Sequence, residues 1–478
     1  VEEKMLEEEH MHLIDEECGV FGVMRHKEAS NIAYLGLHAL QHRGQEACGI
    51  ATLDGERILV QRRRGLVSDA FDQNTLAELP GNVAIGHVRY STAGSSSIRN
   101  AQPIKVGTKF GMLTLAHNGN LTNALSLRKK FEESGSIFAT DSDTEVIAHL
   151  VARSYGSDML EALLDAVRQV KGAFSLVGLT RDFMFALRDP HGVRPLVIGH
   201  LNGARVVASE SSSFVLIGGK VERELEPGEM LVVDRDGSER FIKPFLPITP
   251  KPCVFELVYF SRPDSTVFGR HVYETRKRMG EIIARESGVK ADIVIPVPDS
   301  GVPAAIGFAN ASGIPFEMGL VRSHYVGRTF IEPSHSIRHF GVKLKLSPVQ
   351  SIIEGKRVVV VDDSIVRGTT SRKIIKMIRE AGAAEVHFRV ASPPTVSPCF
   401  YGIDTPSRSE LIASSHSLDE IRDYITADSL AYISVDGLRE AVGAEVTDPE
   451  NNACNFCEAC FTRDYPIELT DARLNHEE

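Results

Sequence analysis

The sequence predicts two domains of different class, a sheet-rich α+β domain followed by an α/β domain, and three features predict it. From Cys18 to about Asp236, short β-type runs such as VAIGHVRY and MLTLAHNG are separated by Gly, Asn and Ser turns. Beyond Cys253 the alternation becomes apolar strand, polar loop, helix. Between the two, KPFLPITPKPC carries four prolines from Lys243 to Cys253 and reads as an extended linker.

The first 17 residues, VEEKMLEEEHMHLIDEE, are rich in acids and lack the basic start and apolar middle of a secretory signal. In the first domain, Asn31 to Gln41 and Thr144 to Tyr155 show helical periodicity among the strands. In the second, ADIVIPVPDSG leads into VPAAIGFANASG, and KRVVVVDDS into TTSRKIIKMIREAG. Continuous apolar strands followed by helices imply a parallel sheet covered on both faces, with ligands at the carboxyl ends of its strands. The terminal ELTDARLNHEE reads as a solvated tail.

At 478 residues the chain has room for two or more domains, each with its own core. Its 42% hydrophobic and 24% charged residues are globular proportions, and its formal charge of -11 argues against indiscriminate nucleic-acid binding. No run approaches the roughly 20 apolar residues that span a bilayer, so a soluble protein is expected. Seven cysteines, with Cys454, Cys457 and Cys460 crowded together, favour metal or catalytic chemistry over a disulfide framework. A reducing cytoplasm is the expected compartment, or an organellar stroma if an upstream leader is removed.

The most specific string is VVVVDDSIVRGTTS, residues 358 to 371. A buried strand ends in Asp362 and Asp363, and Gly368, Thr369, Thr370 and Ser371 lead into a helix. Backbone N–H groups at a helix start form a site for phosphate. The carboxylates can bind ribose hydroxyls, or ligate Mg2+ directly or through water. There is no Gly-Lys-Ser/Thr, so this is not a Walker A loop, and an ordinary strand and helix cap is the plainer alternative. The string resembles the phosphoribosyl diphosphate (PRPP) motif of type I phosphoribosyltransferases. That resemblance implies that the acids hold the ribose and the loop the 5-phosphate. PVPDSG, residues 296 to 301, has the form of that family's pyrophosphate loop, with Asp299, Ser300 and Gly301 as candidates. The resemblance places Mg2+ at Ser300, Asp362 and Asp363. Arg328, Arg338, Lys343 and Lys345 lie in a basic stretch between the motifs that is similar to the family's flexible catalytic loop, where closure excludes water and cations neutralise pyrophosphate. Otherwise it is a solvated basic loop.

A lone cysteine is more often core than catalytic, so Cys18 is judged by its surroundings. CGVFG at 18 to 22, HVRYST at 87 to 92, AHNGN at 116 to 120, DSDTE at 141 to 145 and DPHGVRPL at 189 to 196 together resemble class II, N-terminal nucleophile, glutamine amidotransferases. The resemblance implies an αββα sandwich with Cys18 as nucleophile once residues 1–17 are removed as a propeptide. The freed α-amino group, of reference pKa about 7.7 to 8.0, then takes the thiol proton. Asn118 and Gly119 match the oxyanion-hole positions. Arg89 matches the site for the glutamine α-carboxylate and Asp143 that for its α-ammonium, with Thr92 adding a hydroxyl. As single residues, Arg89 and Asp143 are equally readable as structural ion-pair partners. His42 and Arg43, in LQHRGQE, are structural supports rather than catalysts, and Cys48 is core.

Spacing alone leaves zinc, an iron–sulfur cluster or metal-free thiols open for Cys454, Cys457 and Cys460. Both halves together resemble the amidophosphoribosyltransferase family. In its iron–sulfur members the positions matching Cys253, Cys399, Cys454 and Cys457 hold a [4Fe-4S] cluster, which leaves Cys460 extra. The resemblance divides the chain into a propeptide (1–17), a glutaminase domain (18–245), a phosphoribosyltransferase domain with its cluster segment (253–466) and a tail (467–478). It implies L-glutamine and PRPP as substrates, an apolar passage for ammonia, inhibition by purine nucleotides, and a homotetramer or homodimer. A PRPP-sensing regulator and a simple base phosphoribosyltransferase are the rivals. The intact glutaminase constellation and the acidic net charge argue against the first, and the second leaves the amino-terminal domain without a task.

Overall fold

The computed structural model describes residues 18–90, 97–323, 346–448 and 453–471. Two sheets form the first half. In spatial order one holds Lys220–Glu224, Val197–Leu201, Ala204–Ala208, Gly19–Met24, Val83–Arg89, Ala47–Asp54 and Arg57–Arg64. The other holds Glu239–Ile242, Met230–Asp234, Phe183–Arg188, Gly172–Thr180, Gly111–Leu121 and Ile104–Thr108.

Alternation along the strands makes four layers. Val20 and Met24 face Val177, Met184 and Leu231 in a core between the sheets. Phe21 and Val23 point the other way, against Ala33, Leu37 and Phe214 of helices Ala29–Ala39 and Ser212–Ile217. The second sheet turns Leu115, Phe174 and Leu176 outward onto Ile147, Leu150 and Leu163, from helices Thr144–Arg153 and Met159–Val167. Helix, sheet, sheet, helix is the sandwich that the motifs implied.

No helix or strand occupies 243–252. That proline-rich stretch is pinned rather than loose. Lys251 N–H donates to His191 O at 2.7 Å, and Pro252 O accepts from Cys457 N–H at 2.8 Å.

The second half is built on a parallel sheet in the order Ile293–Pro296, Arg357–Asp362, Glu385–Val390 and Ser429–Tyr432. Val294, Val359 and Val361 meet Ile283, Ala304 and Phe308, from helices Val272–Glu286 and Val302–Ser312. Ile295, Val358 and Val360 meet Ile374 and Ile378 of helix Thr369–Glu380 on the opposite face. Both faces are therefore covered, which explains the unbroken Val/Ile runs.

The end of the chain corrects an expectation. Residues 467–471 are not a solvated tail, because Ile467 is buried and bonded to Tyr401. The Asp471 carboxylate accepts from Leu125 N–H at 2.7 Å and Ser126 N–H at 3.0 Å. No helix among the described residues is long and apolar enough to cross a membrane.

Candidate functional site

Cys18 opens strand Gly19–Met24, whose register sets Gly19 opposite Val88. Its thiol is buried and donates to Tyr90 O at 3.5 Å, so it sits beside the end of the strand that carries Arg89. Asn118, 1% exposed, lies on the other sheet. Ser209 joins the two sides. Its hydroxyl accepts from Val20 N–H at 2.9 Å and from Asn118 Nδ2 at 3.5 Å. An amide NH2 has a second proton to offer an oxyanion. Among the described residues, Asn118 Oδ1 is a buried acceptor with no hydrogen-bond partner. Ser209 was not found from the sequence, since a serine after a strand carries no pattern of its own.

Gly119 has φ +140, and a Cβ there would lie 2.0 Å from Ala173 O, so only glycine fits. Asp143 is held by Leu121 N–H, which donates to Oδ2 at 2.9 Å, with His117 Nδ1 3.5 Å from Oδ1. Burial opposes its ionisation, but His117 and the hydrogen bonds outweigh it and hold the carboxyl below its ordinary value. A carboxylate ready for an ammonium results. Arg89 is 4% exposed at its strand end. Thr92 lies outside the described residues.

At the second centre, Asp362 and Asp363 close strand Arg357–Asp362 and are both buried. Burial and mutual repulsion push the pair up, Asp362 furthest. Ser300, at the end of the neighbouring parallel strand, donates its hydroxyl to Asp363, and Ser364 does so at 2.5 Å. Gly301 packs so closely that a Cβ would lie 2.5 Å from Val361 O. Gly368 is the N-cap of helix Thr369–Glu380, with Thr369, Thr370 and Ser371 in its first turn. Asp299 pairs with Arg322 at 2.8 Å on the surface. Arg328, Arg338, Lys343 and Lys345 lie outside the described residues.

Two crowded carboxyls and a hydroxyl are hard oxygen donors whose charge the buried Arg276 beside Asp363 only partly offsets, a set that fits a divalent ion completed by substrate phosphates. Among the described residues no three or more His, Cys, Asp or Glu side chains converge as a single fully protein-held ion would need.

The cysteines require a correction. Cys460 is in electrostatic contact with Cys253, Cys399 and Cys457. The backbone draws the segments together: Cys253 bridges Cys457, and Cys460 O accepts from Val396 N–H at 2.9 Å. Cys454 does not join them. Its thiol is directed to Glu458 Oε2 at 3.5 Å, and Glu458 is paired with Arg439. The cysteines that the structure groups are thus Cys253, Cys399, Cys457 and Cys460, not the Cys253, Cys399, Cys454 and Cys457 that the resemblance implied, although among the described residues they are not arranged to hold a metal ion. Either overlapping Cys-x2-Cys pair fits the spacing, and only the chain's path chooses between them. Burial pushes the Cys457 thiol up to about 12, a thiol that soft iron would favour as thiolate.

A buried charge network, not foreseen at this strength, joins the halves. Arg43 Nε donates to Glu210 Oε1 at 2.5 Å, and His42 Nε2 lies 2.6 Å from the same oxygen. Arg43 also grips Glu256, with Nη1 3.2 Å from Oε1, and Arg194 Nη1 reaches that oxygen at 3.4 Å.

Comparison with known proteins follows the same division. The glutamine amidotransferase domain family matches residues 87–215, and the phosphoribosyl transferase domain family matches 273–392. Amidophosphoribosyltransferase 2, chloroplastic, of Arabidopsis thaliana is 55% identical over 462 residues, covering 96% of this chain and 81% of that one. A solved structure described as the allosteric regulatory enzyme of purine biosynthesis superposes with TM-score 0.90 at 50% identity, covering 95% of this chain and 97% of its own. The glutamine PRPP amidotransferase of B. subtilis, complexed with ADP and GMP, gives TM-score 0.89 at 49% identity, with 95% and 98% covered.

Proposed function

This chain belongs to the amidophosphoribosyltransferase family, and from that premise we propose how its residues divide the reaction between two sites. The enzyme converts glutamine and PRPP to 5-phosphoribosylamine, glutamate and pyrophosphate, the first committed step of purine synthesis.

In the glutaminase domain, 18–245, the Cys18 thiolate attacks the glutamine side-chain amide. Asn118 Nδ2 and Gly119 N–H hold the tetrahedral oxyanion, and its collapse expels ammonia and leaves a glutamyl thioester. Water then releases glutamate. Arg89 binds the α-carboxylate and Asp143 the α-ammonium, with Thr92 alongside. Removal of residues 1–17 as a propeptide frees the amino group that takes the thiol proton.

Ammonia is nucleophilic only while unprotonated, so it passes to the second domain, 253–466, through apolar surroundings. In support, Ala173 and Val193 share one buried cluster with Phe255, Val258 and Tyr401. There it attacks ribose C1 as pyrophosphate leaves. Gly368, Thr369, Thr370 and Ser371 hold the 5-phosphate, Asp362 and Asp363 orient the ribose, and Asp299, Ser300 and Gly301 receive pyrophosphate with Arg328, Lys343 and Lys345 closing over it. Ser300, Asp362 and Asp363 would hold Mg2+, whose charge offsets that of pyrophosphate. Cys253, Cys399, Cys457 and Cys460 would hold a [4Fe-4S] cluster with a structural role. Purine nucleotides inhibit, as the ADP and GMP of the B. subtilis complex suggest, in a homotetramer or homodimer of the cytoplasm or an organellar stroma.

The observation that carries this assignment is the conjunction, in one chain, of a buried strand-opening thiol, whose strand Ser209 ties to Asn118, with an acid pair where Ser300 meets Asp363. The test is mass analysis of the purified amino terminus with pyrophosphate release from PRPP. The expected result is a Cys18 terminus, glutamine-driven turnover, and a Cys18→Ser variant that works only with added ammonia. If neither glutamine nor ammonia drove turnover, the phosphoribosyl assignment would fail and a PRPP sensor would replace it.

A further inference from the structure

The segment 399–403 belongs to the second domain but lies against the oxyanion strand of the first. Asn120 Nδ2 donates to Phe400 O at 3.0 Å. Arg194, wholly buried, donates twice to Tyr401 O, at 3.0 and 2.7 Å. Gly402 has φ +106, and a Cβ there would lie 2.8 Å from both Cα and the carbonyl carbon of Gly119. The tyrosine anchors the far side, with its hydroxyl donating to Ile467 O at 2.8 Å and accepting from Ile467 N–H at 3.0 Å.

We propose that Phe400, Tyr401 and Gly402 form a positioning strap for the glutaminase oxyanion hole, supplied by the phosphoribosyltransferase domain. The inference rests on the assignment of Gly119 as an oxyanion donor. Ala173 O limits Gly119 on one side and Gly402 limits it on the other, so the peptide that must point at the developing charge is clamped between the two domains. Donors of this kind act because they are in place before the charge forms, and a misplacement of about 1 Å costs roughly 100-fold in rate. Glutamine cleavage is then competent only when the domain that receives ammonia is docked. A strap residue does not touch glutamine, so its loss should lower kcat and leave KM.

The experiment uses the full chain with Gly402→Ala and Asn120→Ala, comparing glutamine-dependent and ammonia-dependent PRPP turnover together with thermal midpoints. Each variant is expected to lose about tenfold or more in glutamine-dependent kcat, as a displacement of several tenths of an ångström implies. The KM for glutamine and the ammonia-dependent rate should be unchanged. Parallel loss of both activities would reduce the segment to general support and overturn the proposal, as would no loss in either. If Gly402→Ala does not fold, Asn120→Ala decides alone, since it removes one hydrogen bond and adds no atom. Cys18→Ser separates the two levels of argument. If it kept glutamine-dependent turnover, the glutaminase assignment itself would fall. If it lost that turnover while the strap variants kept theirs, only the strap would fall.

Discussion

Arg43 and Glu256 meet in an ion pair in which neither side chain has any exposure, one from the glutaminase half and one from the segment that opens the phosphoribosyltransferase half. Burying two charges is costly, and their attraction offsets the cost only when every remaining donor and acceptor is satisfied. Here Glu210, Arg194 and Ser261 complete the set. Removing one partner should therefore be far worse than removing both. Arg43→Met and Glu256→Gln are each expected to destabilise by about 3 to 5 kcal/mol. Arg43→Met combined with Glu256→Gln should cost much less than the sum. Thermal unfolding of the three variants checks this, and additive losses would mean that the pair is not coupled.

Asp471 caps a helix to which it is not adjacent in sequence. Helix Ala124–Glu133 begins at Asn123 with no side-chain cap of its own, and the Asp471 carboxylate takes the Leu125 and Ser126 N–H groups instead. Negative charge there also suits the helix dipole. Asp471→Ala should cost about 1 to 2 kcal/mol, the scale of a lost N-cap. Amide hydrogen exchange should quicken in the first turn of that helix and not in Thr369–Glu380.

These two contacts mark where sequence stopped being legible. Val358 to Val361 and the Asp362–Asp363 pair announced a strand, its end and a ligand site, because local pattern and local chemistry coincide there. Cys18, Asn118 and Asp143 were legible only through resemblance, since they are distant in sequence and no spacing links them. Helix Ala124–Glu133 escaped notice because its apolar face is thin, with Ala124 and Phe131 its buried residues. Ser209, the Arg43–Glu256 pair and the cap from Asp471 depend on how separate segments meet. No periodicity encodes that.

His87 should govern part of the acid limb of stability. It is wholly buried, with Nε2 2.9 Å from His117 O, and burial pushes its pKa down to about 3. Between the ordinary histidine value of about 6.5 and that point, the unfolded chain holds a proton that the native chain does not. Stability therefore falls as pH falls through this window, by about 1.4 kcal/mol per pH unit for this one group. In His87→Gln the slope of stability against pH should be shallower by that amount between pH 6 and pH 4, about two units of the window. Denaturant titrations across that range check it, and an unaltered slope would place the acid sensitivity elsewhere.

Cys454 and Cys460 give opposite predictions although both sit in the same Cys-x2-Cys-x2-Cys run. Cys460 neighbours Cys253, Cys399 and Cys457, whereas the Cys454 thiol faces Glu458 and, through it, Arg439. Thiolate ligands to an iron–sulfur cluster must share one centre, and serine is a poor substitute for such a soft donor. On the cluster assignment proposed above, Cys460→Ser should therefore lower the iron and sulfide content of the purified protein, bleach its cluster absorbance and reduce its thermal midpoint, because three separate segments would lose their common anchor. Cys454→Ser should keep iron, sulfide and colour at the parent level, since a serine hydroxyl can still donate to Glu458. If Cys454→Ser were the variant that lost iron, the ligand set would revert to the one that the resemblance first implied, and the segment around Cys454 would have to turn inward when the cluster binds.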